Sequence, residues 1–331
     1  MERRKLLRQK VEEARENGDE TFMERLTRWP CLCCYDEVPD FQQENEWIHT
    51  GYRKGWTVKE HFMSVLYPFH NESVNIWTHL IGFIICICVT VGLAYEVRNP
   101  HFVEIVREGG ETLRHLLDPI SRWPVYVFLG GAMICLGGSA FAHSLNGMSR
   151  RSNYALWRLD YIGIVALIAS SFLPPIHYGF LCNPNWRVVY LAAISSIAVS
   201  LAGLIFHSRF HSEKWRLLRV GLFTGMGVSG VAPLMHSVYL NHGIPLATRG
   251  AIQMVLMGAS YLGGVVFYAA RVPERWLPGK FDLLFNSHQI WHVAVLLGVF
   301  NHYRASMTFV EWRETDRHCL LERALDLQIV R

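Results

Sequence analysis

The sequence predicts an all-α membrane protein with seven transmembrane helices, a cytoplasmic N-terminus and an extracellular or lumenal C-terminus. Two observations support the fold class. Of the 331 residues, 51% are hydrophobic and only 18% are charged, whereas soluble domains usually carry about a quarter charged residues. The apolar residues are also concentrated in runs of roughly 20, which is the helix length that crosses a hydrocarbon core of about 30 Å.

Seven apolar runs alternate with short polar loops, and no run contains Lys or Arg. A large soluble helical protein would need charged outer faces on most of its helices, so the runs argue against that class. We place the seven spans at residues 74–95, 124–146, 159–178, 188–206, 220–239, 251–270 and 284–303. Residues 1–73 then form a cytoplasmic N-terminal segment, residues 74–303 the membrane domain, and residues 304–331 a short tail.

The distribution of Lys and Arg predicts the orientation. Residues 1–40 are charged and lack the apolar core of a signal peptide, so we expect the first span to act as the insertion signal. The loops after the third and fifth spans carry only Arg187 and Arg249, and the longer loop after the first span balances Arg with Asp and Glu. Because basic loops stay in the cytoplasm, the N-terminal side is predicted to be cytoplasmic. The basic residues of the loops on that side are Arg150, Arg151, Arg158, Arg209, Lys214, Arg216, Arg219, Arg271, Arg275 and Lys280.

Histidines stand at the ends of two predicted spans. The seventh span begins with His288 and His292, which are four residues apart and therefore lie on one helix face. The second span ends with His143, and Ser139 lies one turn before it. Two imidazoles four residues apart on a helix can bind one zinc ion. Taken singly, each pattern is also compatible with histidines at a membrane interface.

The predicted topology brings these residues to one side of the membrane. The second span runs toward the cytoplasm and the seventh runs away from it, so His143, His288 and His292 should all lie within roughly 12 Å of the cytoplasmic face. Three histidines with one open coordination position are typical of catalytic zinc, whereas structural zinc usually has four protein ligands. His79 lies at a similar depth and is a rival ligand, while His236 lies near the opposite face.

Asp160 is the one acidic residue within the predicted spans. It is expected at the very start of the third span, again near the cytoplasmic face. There it could act as a base or hold a water molecule beside the metal, with Ser139 orienting the reacting groups. The alternative is a carboxylate that only interacts favourably with the N-terminal end of the helix dipole.

Several segments resemble the progestin and adipoQ receptor family, and in particular its adiponectin-receptor-like branch of haemolysin-III-related membrane proteins. The likeness extends from about residue 36 to residue 303. Its motifs are NEWIHTGYR at 45–53, HNESVNIWTHL at 70–80, LDYIGI at 159–164, YAARVPER at 268–275, PGKFD at 278–282 and SHQIWH at 287–292.

The resemblance implies a seven-helix fold with a cytoplasmic N-terminus and a zinc ion held by His143, His288 and His292. It implies that Asp160 binds water and that Ser139 is the family's serine one turn before the histidine of the second helix. His79 matches a family position that is not a zinc ligand. The N-terminal arm and residues 311–331 depart from the family pattern. The resemblance therefore does not imply that the chain binds an adiponectin-like ligand.

Two functions follow as hypotheses. The first is a signalling receptor with zinc-dependent hydrolase activity toward a lipid amide such as ceramide. The second is a receptor for a hormone, sterol or lipid in which the zinc ion is purely structural. The expected partners are a membrane lipid, an extracellular ligand and a cytoplasmic adaptor at the N-terminal segment, with no nucleic acid. The plasma membrane and an endomembrane are both compatible with the sequence.

Overall fold

The computed structural model describes residues 32–66, 69–98 and 120–316, so the ends of both predicted terminal segments lie outside the described residues. The regular structure of these three ranges is helical and contains no strand, apart from an isolated bridge between Cys33 and Tyr52. The helices are α1 (Val58–Met63), α2 (Ser73–Arg98), α3 (Trp123–Leu145), α4 (Arg150–Ser171), α5 (Leu173–Gly179), α6 (Pro184–Ile205), α7 (Arg216–Val228), α8 (Val231–Leu240), α9 (Pro245–Ala270) and α10 (Ser287–Thr315).

Within the described ranges, six segments are long and apolar enough to cross a membrane: α2, α3, α4 with α5, α6, α7 with α8, and α9. The seventh predicted span corresponds to α10, which packs along α9 and also contacts α2 and α5. Its composition is more polar because it buries His292, His302 and Arg313 inside the protein. It also continues to Thr315, well beyond the predicted end at residue 303.

The third predicted span begins earlier than expected. Its helix starts at Arg150, where the hydroxyl of the N-cap residue Ser149 accepts a hydrogen bond from the amide of Ser152. Asp160 therefore lies roughly three turns inside α4, and it is only 7% exposed. The expectation that Asp160 is a carboxylate at the start of its helix is wrong, because the polar residues before it belong to the helix rather than to a loop.

Two of the spans are interrupted near prolines. The third span breaks at Phe172, and Pro174 stands in the first turn of α5. The fifth span breaks between α7 and α8, just before Pro233. Proline lacks an amide hydrogen and cannot continue the helical hydrogen-bond ladder, so the breaks follow from local chemistry.

Close helix contacts near the candidate site depend on glycine. A Cβ atom on Gly163 of α4 would lie 2.9 Å from the Cα of Cys135 in α3. A Cβ atom on Gly264 of α9 would lie 2.5 Å from the Cβ of Ala294 in α10. Small residues at such crossings let helix backbones approach closely in a membrane. These contacts set α4 against α3, which together carry Asp160, Ser139 and His143, and set α9 against α10, which carries His288 and His292.

The N-terminal segment packs across one end of the bundle, which we call the N-side. The Asn45 side chain donates to Glu274 (3.1 Å), and the His49 amide donates to Asp282 (2.9 Å). Arg271 donates to the Glu44 carbonyl (2.7 Å). These bonds join residues 44–49 to the loop between α9 and α10, so the N-terminal segment lies next to the start of α10.

Candidate metal centre

Three histidine side chains meet at the N-side of the bundle. His143 lies in the last turn of α3, while His288 and His292 lie in the first turns of α10. The Nε2 atoms of His143 and His288 are 3.2 Å apart, as are those of His288 and His292. Zinc–nitrogen bonds of about 2.0–2.1 Å at tetrahedral angles would place the ligand nitrogens roughly 3.3 Å apart. These two distances match what one tetrahedral ion needs, and all three ligand atoms lie within 4.8 Å of one another.

The remaining ring nitrogens explain why Nε2 is the atom available for a metal. The Nδ1 of His143 lies 2.7 Å from Oε2 of Glu72, and the Nδ1 of His292 lies 3.1 Å from the carbonyl oxygen of Asn75. A carboxylate and a carbonyl accept hydrogen bonds, so each Nδ1 must be the protonated donor. In a neutral imidazole this leaves the Nε2 lone pair free, which is the tautomer that binds a metal. The donor set therefore fits a cation.

The end of α3 is held by two side chains of the N-terminal segment. Arg53 donates to the carbonyls of His143 (2.7 Å) and Ser144 (2.8 Å), and His61 Nδ1 lies 3.2 Å from the Ser144 carbonyl. These carbonyls have no partner inside the helix, and a cation near the C-terminus also complements the helix dipole. Burial lowers the pKa of Arg53 to about 10, so it remains charged at neutral pH. The backbone of His143 is therefore fixed as well as its ring.

The start of α10 is fixed by a different set of contacts. The Asn286 side chain caps the helix by accepting from the Gln289 amide (3.0 Å). The Ser287 amide donates to the buried Glu274 carboxylate (2.7 Å), and the Ser287 hydroxyl bonds to the same carboxylate. A capping side chain satisfies amides that the first helical turn leaves free. The residue immediately before His288 is thereby anchored.

Ser139 and Asp160 lie in the same cavity as the three histidines. Ser139 is 1% exposed on α3, one turn before His143, and its hydroxyl interacts with the Asp160 carboxylate across the α3–α4 contact. The structure thus brings together all five predicted site residues, although no metal is part of it.

His79, the rival ligand, lies beside the centre but does not join it. Its ring stacks flat on His292, with centroids 3.7 Å apart and an angle of 10° between the planes. The three converging residues are His143, His288 and His292. Neither ring nitrogen of His79 has a hydrogen-bond partner among the described residues. His236 is distant, hydrogen-bonded to the Tyr190 hydroxyl (2.9 Å).

The cavity has a volume of about 800 Å³ and is mostly apolar away from the histidines. Leu167, Phe223, Met254 and Leu262 line it between α4, α7 and α9. Glu44 of the N-terminal segment, an exposed residue, lines its polar end. A mostly apolar pocket with a few polar groups is the usual form of a small-molecule binding site.

Sequence reasoning missed Glu72, Asn75, Arg53 and Glu44 as parts of this site. The first three occur in the segments 45–53 and 70–80 that carried the family resemblance. They lie outside the predicted spans or at their edge, where hydropathy gives no reason to examine them. Their partners are also far away in the chain; Glu72 and His143, for example, are separated by 71 residues.

The chain is similar to known membrane proteins over most of its length. The family model described as haemolysin-III related matches residues 67–303. Heptahelical transmembrane protein 1 of Arabidopsis thaliana is 41% identical over 283 residues, covering 86% of this chain and 82% of the relative. The rice heptahelical transmembrane protein ADIPOR3 is 33% identical, with 85% and 90% of the two chains covered. The adiponectin receptor protein of Drosophila melanogaster is 33% identical, with 87% and 62% covered.

Proposed function

Because the chain belongs to the haemolysin-III-related family of heptahelical, adiponectin-receptor-like membrane proteins, we propose that it is a signalling receptor that hydrolyses lipid amides of the ceramide type with the help of zinc. The family resemblance seen in the sequence is confirmed, as is the assignment to multi-pass integral membrane proteins. The convergence of three Nε2 atoms, with the Nδ1 atoms of His143 and His292 bonded to acceptors, is the observation that carries the proposal.

The nature of the ligands favours zinc. Three neutral imidazoles suit a borderline cation such as Zn²⁺, whereas Mg²⁺ and Ca²⁺ prefer sets of oxygen ligands. Three protein ligands leave a coordination position open, as in zinc hydrolases. A zinc ion held there supplies Lewis acidity toward a carbonyl oxygen.

The proton transfers and the binding of the substrate depend on side chains of the protein. Asp160 lies beside the histidines and is positioned to take a proton from the water that attacks the amide carbon and then to return it to the leaving amine. Ser139, in contact with Asp160, orients this carboxylate. The apolar part of the cavity accommodates the acyl chain, so that the amide group reaches the polar end. Hydrolysis would yield a fatty acid and an amine.

Orientation and partners form part of the same proposal. The basic residues of the N-side loops favour a cytoplasmic N-side. A cytoplasmic adaptor would then reach the N-terminal segment directly, while an extracellular ligand would bind the opposite end of the bundle.

The proposal is tested with purified protein in lipid nanodiscs, by measuring ceramide hydrolysis by mass spectrometry and zinc content by elemental analysis. Asp160→Asn should lower hydrolysis at least about 100-fold, the usual effect of losing a general base, while zinc content stays at the wild-type value. Ser139→Ala should lower hydrolysis less. Wild-type protein that is fully loaded with zinc but hydrolyses no lipid amide would overturn the proposal.

Structural zinc in a receptor is the second candidate, because the three ligands tie the end of α3 to the start of α10. In that case removal of zinc should lower the unfolding temperature markedly, and neither Asp160→Asn nor Ser139→Ala should change any turnover. Measuring stability and hydrolysis on the same samples separates the two candidates.

A further inference from the structure

We infer that Glu72 is a positioning residue of the metal centre, whose carboxylate fixes the ring and tautomer of His143 and thereby strengthens zinc binding. The inference rests on the proposed zinc site and deepens it. Glu72 stands immediately before α2, and its Oε2 lies 2.7 Å from the Nδ1 of His143, which is 1% exposed. Ligating histidines commonly donate their second N–H to a carboxylate in this way, which orients the ring and raises its basicity.

The Glu72 carboxylate is itself held in one orientation. The side-chain amide of Asn75 donates to Oε2 (2.7 Å), and that of Asn146 donates to Oε1 (3.0 Å). Asn146 directly follows α3, so the contact bridges the start of α2 and the end of α3. Rotation of this carboxylate away from His143 would break hydrogen bonds at both oxygens, which disfavours it.

One short segment thus serves two of the three histidines. Glu72 accepts from His143, and the carbonyl of Asn75 accepts from the Nδ1 of His292 (3.1 Å). The Asn75 side chain connects the two contacts by donating to Glu72. The acceptors differ in charge, since one is an anion and the other is neutral. His143 should therefore be the more basic ligand and should respond most to changes at Glu72.

The charge of Glu72 also matters for a buried dication. The three imidazoles are neutral ligands, and the Arg53 guanidinium lies behind His143, bonded to its carbonyl. A divalent ion in a poorly solvated site needs compensating negative charge. Glu72 supplies that charge in contact with a ligand, and Asp160, which interacts with Ser139, is a second carboxylate in the same cavity.

The test compares Glu72→Gln with Glu46→Gln, an exposed carboxylate of the same N-terminal region, in otherwise intact protein. The zinc dissociation constant is measured by competition with a chelator, and the absorption bands of the Co²⁺-substituted protein are recorded. We expect Glu72→Gln to weaken zinc binding 10–100-fold and to shift the cobalt bands, while saturating zinc still gives wild-type stoichiometry. Glu46→Gln should change neither quantity.

Wild-type affinity together with a wild-type cobalt spectrum in Glu72→Gln would overturn the inference. If that variant does not fold, Glu72→Asp and Asn146→Ala retain the negative charge but shorten or loosen the contact. Weaker zinc binding in both then supports the inference, and unchanged binding overturns it. The proposed function fails separately, if His143→Ala retains zinc or if zinc-loaded wild-type protein hydrolyses no lipid amide.

Discussion

The two ends of α10 both bury nitrogen-rich side chains, but they use them in opposite ways. At its start, the Nε2 atoms of His288 and His292 point at each other and at His143 without a donor between them. Near its end, Arg313 is 2% exposed, and its guanidinium donates to the carbonyls of Tyr178 (2.7 Å) and Gly179 (3.4 Å). The hydrogen bonds of this guanidinium each pair a donor with an acceptor.

The contrast shows how a binding site can be told from a structural contact within one helix. Arg313 donates to carbonyls at the end of α5, so its charge is matched by acceptors without a further ligand. Converging lone pairs repel one another unless a proton or a cation lies between them. Burial is similar at both ends, so the arrangement of donors and acceptors distinguishes them.

The largest effect should come from removing a converging histidine. His292→Ala should lower zinc affinity more than about 100-fold, beyond the loss of an outer-sphere partner. His302→Ala is the matched control, because His302 is a fully buried histidine of the same helix outside the cluster. Zinc content after dialysis against a weak chelator measures the difference. Equal retention of zinc by the two variants would contradict the contrast.

The second-largest effect should come from removing the contact between Arg313 and the carbonyls of α5. Arg313→Met should lower the free energy of unfolding by about 2–4 kcal/mol, because buried carbonyls lose a charged donor. The thermal midpoint should fall by roughly 5–10 °C, with zinc content unchanged. Arg304→Met, on an exposed position of α10, should shift the midpoint little. A loss of zinc in Arg313→Met would show that the two ends are coupled.

Acid should affect the N-side through two further histidines. Burial, together with the charge of Arg53, lowers the pKa of His61 to about 4 and that of His70 to about 3. The unfolded chain takes up protons below about pH 6.5 while these folded rings stay neutral, so stability should fall as the pH drops from 6.5 toward 4. Unfolding measured across this range should show a smaller decline in a His61→Gln/His70→Gln variant. An equal decline would assign the acid sensitivity to other groups.

The smallest effect is expected at His79. His79→Phe keeps a flat ring against His292 and removes two nitrogens that have no partner in the described part of the chain. Zinc affinity should therefore remain within about twofold, and stability should change by less than about 1 kcal/mol, since replacing unpaired polar atoms by apolar ones is often neutral. Loss of zinc would instead identify His79 as a ligand.

The sequence predicts the spans and the convergence of His143, His288 and His292 because both depend on simple periodicity and topology. It misplaces the start of α4, since residues 150–158 are polar on a helix that borders the N-terminal segment. It stops α10 too early, since buried Arg313 resembles a tail residue until the carbonyls of α5 are seen beside it. Glu72 escapes detection because its role exists only through His143 and Asn146, which are remote in the chain.

The Glu274 carboxylate connects the N-terminal segment to the start of α10, and this connection offers a way to regulate the metal centre. It receives the side chain of Asn45 from the arm and both the amide and the hydroxyl of Ser287 at the head of α10. A protein that bound the N-terminal segment and displaced Asn45 would remove one of the hydrogen-bond donors that restrain this carboxylate. Ser287, the residue immediately before His288, would then be held less firmly. A partner that binds outside the membrane domain would in this way affect the position of a metal ligand inside it.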